Sequence, residues 1–204
     1  MLNDKKVRIA VLVSGGGTNL QALIDSQKSG VITDGEIVLV LSNKADAYSL
    51  TRAENAGIKA VAVTKAEFGT DFEKKIVETL DENNIELIVL AGFMCILSKD
   101  FTDKYKNRII NVHPSLIPSF CGEGFYGLRV HRAALEKGVK VSGATVHFVN
   151  EIPDGGEIIM QKAVEVCEGD TPETLSARIL ENAEWKILPA STQLVCKKIL
   201  NGEI

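Results

Sequence analysis

The stretch VRIAVLVSGGGTNLQ, residues 7–21, governs how the whole chain is read. Val7 to Val13 is a nearly continuous apolar run of strand length. Such runs suit a strand covered on both faces of a parallel sheet. Ser14-Gly15-Gly16-Gly17 ends the run, and Leu20, Leu23 and Ile24 follow at helical spacing. Thr18 and Gln21 fit the S/T-x-x-E/Q capping box, which predicts a helix start at this point. Glycines let the backbone come close to a ligand, and the free amides of a helix start favour an anion. What is missing narrows the anion. Leu20 stands where the last glycine of G-x-G-x-x-G belongs, and Ser42-Asn43 replace the acidic residue expected after the second strand. The P-loop lysine is also absent. A single small phosphate fits better than a dinucleotide or ATP, and a tight turn with no ligand is the plainer alternative.

Working outward, Ile37–Leu41, Lys59–Val63, Ile85–Leu90 and Arg108–Val112 read as further strands. Ala45–Ala56 and a segment carrying Phe72, Ile76, Val77 and Leu80 read as helices. This alternation predicts a Rossmann-like, mostly parallel sheet with helices on both faces. The pattern changes after Pro118. Residues 119–127, SFCGEGFYG, read as a mobile loop, and Leu128–Lys137 as a helix ended by Gly138. Val139–Val149 and Glu157–Val164 read as an antiparallel pair around a turn dense in Pro, Asp and Gly. Asp170-Thr171-Pro172-Glu173 opens a long terminal helix that Pro189 should kink or break. With no repeat or linker in sight, the expectation is an α/β fold in a single domain, 1–204, with an antiparallel C-terminal part. Residues 1–110 form the phosphate-binding half.

The net charge of −4 excludes a broad nucleic-acid surface, and no apolar stretch approaches transmembrane length. Cys95, Cys121, Cys167 and Cys196 form no C-x-x-C pair and read as reduced thiols of a cytoplasmic protein. His113, His131 and His147 lack metal-ligand spacing, so no metal is expected.

In INVHPSL, residues 110–116, Asn111 and His113 lie two apart at a strand's carboxyl end and share one side. An amide donor beside a protonatable imidazole can stabilise an oxyanion or trade a proton. Alone, such a histidine is more often a strand-end residue with a backbone partner. Asp154, in Pro-Asp-Gly-Gly, is a turn former unless the fold brings it to His113, where a carboxylate would favour the imidazolium. His147 reads as a packing or supporting residue, and His131 as surface or substrate rim. LAGFMCIL, residues 90–97, reads as core or as an apolar rim for a flat heterocycle.

In chain order, SGGGTNL, LAGFM, NVHPSLIP, TVHFV and DGG closely resemble the glycinamide ribonucleotide (GAR) transformylases, folate-dependent formyltransferases of purine biosynthesis. The resemblance spans nearly the whole chain. It implies formyl transfer from 10-formyltetrahydrofolate to the amine of GAR, both small-molecule substrates. It further implies that Gly17, Thr18, Asn19 and Glu184 hold GAR, and that Met94, Cys95, Ile96, Leu97 and Asn111 line the folate pocket. Asn111, His113 and Asp154 match the family's catalytic trio, with His147 supporting them. Residues 111–204 would thus be the catalytic and folate-binding half. Two departures stand out. EFGTDFEKK, residues 67–75, lacks the arginine that often contacts folate, and SFCGEGFYG is longer than the family's short Pro-Gly turn. The rival readings are another 10-formyltetrahydrofolate-using formyltransferase or hydrolase, and a non-catalytic nucleotide-phosphate binding module.

Overall fold

A computed structural model describes residues 5–204. Among them β1 (Val7–Val13) is fully buried except at Arg8, as its apolar run requires. It is central because both its neighbours are parallel strands: β2 (Gly35–Ser42) on one side and β4 (Leu87–Leu90) on the other. β3 (Lys59–Ala62) pairs parallel with β2, and β5 (Ile109–His113) parallel with β4. β6 (Val141–Phe148) runs antiparallel to β5, and β7 (Ile158–Glu165) antiparallel to β6. The seven strands are ordered β3-β2-β1-β4-β5-β6-β7. The chain winds outward from β1 in one direction and then in the other. A crevice therefore opens at the carboxyl ends of β1 and β4, where ligands of such sheets bind.

Alternate residues of β1 feed different cores. Val7, Ile9, Val11 and Val13 pack with α1 (Thr18–Lys28) and the C-terminal helices. Ala10 and Leu12 pack with α4 (Phe72–Glu82) on the other face. Each fully buried Val, Leu or Ile side chain contributes about 1.5–3 kcal/mol. Two covered faces thus hold the strand that aims the glycine loop.

Several elements differ from the sequence expectation. The helix expected over Ala45–Ala56 is the shorter α2 (Tyr48–Asn55). A short α3 (Lys65–Phe68) precedes α4, and the β4–β5 crossover contains α5 (Lys99–Lys104), too short to show helical periodicity. α6 (Leu128–Lys137) has the expected bounds and a left-handed Gly138 after it. At the C-terminus, Thr171 caps α7 (Pro172–Ile179) reciprocally with Thr174. The helix is interrupted by a π turn at Leu180–Glu184, and Pro189 sits inside the continuous α8 (Trp185–Leu200). Pro189 therefore neither breaks nor ends the helix. The ladder instead departs from α geometry one turn upstream, where the wider π turn carries Glu184.

Candidate active site

The helix start at the end of β1 is not capped as the sequence suggests. Gly17, with φ +72°, is the N-cap residue, and no side chain caps the helix. Thr18 is already helical, and Gln21 donates to Asp25 while accepting from Arg52. The capping box is therefore not formed. A Cβ on Gly17 would come within 2.7 Å of Ser49 Cβ, so the chain must turn there through a left-handed glycine. The first turn holds no acidic side chain, which leaves its amides open to an outside anion.

Asn19 is buried, and its Nδ2 donates to Glu184 Oε2 at 2.6 Å, joining α1 to the π turn. Burial raises the Glu184 carboxyl from 4.5 to about 7, against the lowering effect of the Asn19 bond. The unfolded chain sheds this proton first, so Glu184 withdraws stability as the pH rises from about 4.5 to about 7. The stability of the native chain relative to Glu184→Gln should therefore fall across that window and level off above it. Paired urea melts at about pH 5 and about pH 8 measure this. A difference that does not change with pH would contradict it.

The β5–β6 register places Asn111 opposite His147 and His113 opposite Thr145. Asn111, His113 and His147 therefore share one face of the sheet. Asn111 Nδ2 lies 3.2 Å from His147 Nε2, and His147 Nδ1 lies 2.7 Å from the Phe148 carbonyl. A carbonyl only accepts, so Nδ1 carries a proton, and when the ring is neutral its Nε2 accepts from Asn111. His147 thereby fixes which end of the Asn111 amide faces it. The second N–H of Asn111 is left for the cleft.

Asp154 reaches the same cluster. It sits at φ +56° in the β6–β7 turn, and the glycines after it are needed for close approach: a Cβ on Gly156 would lie 1.7 Å from the Phe148 carbonyl oxygen. Asp154 Oδ2 is 3.4 Å from His113 Nδ1, and Oδ1 is 3.5 Å from His147 Nε2. The Gly122 N–H donates to Asp154 Oδ2 at 2.9 Å, and His113 Nε2 donates to the Phe120 carbonyl at 2.9 Å. The 119–127 segment thus supplies partners to both Asp154 and His113. Burial raises the Asp154 carboxyl, but His147, His113 and the Gly122 amide outweigh it, so the carboxylate form is favoured. For His113 the balance is the reverse. Burial depresses its imidazole more than Asp154 and the Phe120 carbonyl raise it. In the free site burial therefore disfavours the imidazolium form of His113. Asp154 offsets the cost of charging it.

These side chains face one cleft of about 1040 Å³. Thr18, Asn19, Glu184, His113 and Asp154 line it, together with Met94 to Leu97. Gly17 does not line it directly. Met94 and Ile96 are 56% and 80% exposed, so this segment is an apolar rim and not core. Leu97, the last residue of the same segment, is buried. Cys95 is half-buried and accepts from Asn43 Nδ2 at 3.0 Å. His131, expected at the surface or rim, is buried and lines the cleft with its Nδ1 unpartnered. Burial and the nearby His113 push its imidazole down to about 4, so it is neutral at pH 7. Its place beside Val130 and three residues before Ala134, both buried, is the helical signal that could have found it. Among the described residues no group of three or more His, Cys, Asp or Glu could hold a metal ion. No helix there is long and apolar enough to cross a membrane.

An α/β sheet with this cleft and an amide–imidazole–carboxylate cluster has the equipment of an enzyme that stabilises an oxyanion and moves a proton. A formyl transferase profile matches residues 7–192, and the chain belongs to the formyl transferase family. It is similar to the phosphoribosylglycinamide formyltransferase of Haemophilus influenzae, 42% identical over 97% of this chain and 89% of that protein. It is 49% identical to the trifunctional purine biosynthetic protein adenosine-3 of Gallus gallus over 95% of this chain, but spans only 19% of that longer protein. The crystal structure of glycinamide ribonucleotide transformylase 1 from Symbiobacterium toebii superposes with a TM-score of 0.88. That chain is 43% identical, with 94% of this chain and 88% of that one covered.

Proposed function

We propose that this chain transfers a formyl group from 10-formyltetrahydrofolate to the amine of GAR, a step of de novo purine (IMP) biosynthesis in the cytoplasm. The observation that carries the reading is the single cleft that joins an uncapped helix start, the Asn111–His113–Asp154 cluster and the apolar rim at Met94 and Ile96. GAR brings a phosphate, for the amides at Gly17, Thr18 and Asn19, and ribose hydroxyls, for Glu184. The folate places its flat ring against Met94, Cys95, Ile96 and Leu97. The phosphate half is residues 1–110, and the catalytic and folate-binding half is residues 111–204.

The GAR amine attacks the formyl carbon, and the carbonyl oxygen becomes an oxyanion. The free N–H of Asn111 donates to it, with His147 holding the amide in that orientation. As negative charge develops, the imidazolium form of His113 becomes favourable, because Asp154 already faces its Nδ1. The bond from carbon to the folate nitrogen then breaks. The proton lost by the amine reaches the departing nitrogen by way of His113 and Asp154. The balance is one C–N bond formed, one broken and one proton moved, with no covalent enzyme intermediate.

Asn19→Ala should raise the GAR KM roughly tenfold or more with little change in kcat, because it leaves buried Glu184 unpartnered and loosens the helix start. Saturation curves with an unchanged GAR KM would remove Asn19 from substrate binding.

A further inference from the structure

Two groups on α2 hold carbonyls of the glycine loop. The Ser49 N–H donates to the Gly15 carbonyl at 3.1 Å, and Arg52 Nε donates to the Gly16 carbonyl at 2.8 Å. In a trans peptide the C=O and the following N–H point in opposite directions. Fixing these carbonyls against α2 therefore turns the Gly16 and Gly17 N–H groups away from α2. Arg52 Nη1 also donates to Gln21 Oε1 at 3.1 Å, so one guanidinium ties the loop to the first turn of α1. Its own position is set by the Tyr48 ring, 5.0 Å from the guanidinium carbon. Residues 14–19 contain no cation, and the loop packs so tightly on α2 that a Cβ on Gly17 would come 2.7 Å from Ser49 Cβ, with Arg52 Cδ in ordinary contact beside it. Two buried polar atoms beside the loop, Asn19 Oδ1 and Ser49 Oγ, have no hydrogen-bond partner within the protein.

We propose that Arg52 is a positioning residue for the substrate phosphate. It orients the Gly16 and Gly17 amides as donors and sets a fixed positive charge behind them. A phosphomonoester carries close to two negative charges near neutral pH, so charge and donor geometry act in the same direction. The inference rests on GAR as the substrate and extends it to a residue outside the cleft.

The test compares native protein, Arg52→Met and Arg52→Lys with GAR as substrate and its dephosphorylated nucleoside as competing inhibitor. Arg52→Met should raise the GAR KM about tenfold, leave kcat within about twofold, and leave inhibition by the nucleoside unchanged. Arg52→Lys keeps the charge and one donor and should recover most of the loss. A merely structural Arg52 would weaken both ligands alike, or lower kcat with thermal stability, and either result overturns the proposal. So does an unchanged GAR KM in a folded Arg52→Met or Arg52→Gln protein. A native protein that binds GAR no better than the nucleoside would overturn the phosphate reading itself, and this inference with it.

Discussion

Asp154→Asn should lower kcat by about 10²–10⁴-fold while leaving substrate binding largely intact. Asparagine tolerates the left-handed conformation that Asp154 occupies at φ +56°, so the turn survives the exchange. The Gly122 N–H can still donate to the side-chain oxygen that remains. What is lost is the negative charge 3.4 Å from His113 Nδ1. Burial already depresses His113, and Asp154 is the largest influence working against burial. Without it the imidazole pKa should fall further, and the imidazolium becomes costly just when the oxyanion forms. Steady-state kinetics with an NMR titration of His113 tests both halves. Turnover within a few-fold of the native protein and an unmoved His113 pKa would mean that Asp154 only shapes its turn.

Asn111→Ala should cost about 10²–10³-fold in kcat, the usual loss when one preorganised oxyanion donor is removed. The side chain is held from one side by His147, whose own ring is fixed by the Phe148 carbonyl. The donor therefore needs no reorganisation when the charge develops. Because the interaction strengthens only in the transition state, kcat should fall much more than either KM rises. Equal loss in kcat and binding would place Asn111 in ground-state recognition instead. His147→Ala should follow the same pattern with a smaller loss, since it frees the amide to rotate without deleting it.

β1 and β4 are legible in the sequence because a strand covered on both faces has no alternative to a continuous apolar run. The face shared by Asn111 and His113 follows from strand periodicity alone. His147 is different: its place opposite Asn111 depends on the register of strands separated by a loop and a helix. Asp154 is harder still, because its approach to His113 is set by the path of the turn and by Gly156 beneath Phe148. The capping box at Thr18 and Gln21 matches a local rule, but packing of Gly17 on Ser49 moves the helix start one residue back. Pro189 shows the converse. A local breaker is accommodated because the upstream π turn changes the ladder, and that same turn presents Glu184 to Asn19. Phe120 and Gly122 contribute only backbone groups, which leave no mark on residue type.

The cleft should deliver a formyl group to an amine and not to water. The direct measurement incubates the purified protein with 10-formyltetrahydrofolate, with and without GAR, and follows tetrahydrofolate, formylated GAR and formate together. Tetrahydrofolate and formylated GAR should appear in equal amounts and only when GAR is present, with no appreciable formate. Release of formate at the same rate whether or not GAR is present, or no turnover with both substrates, would contradict it.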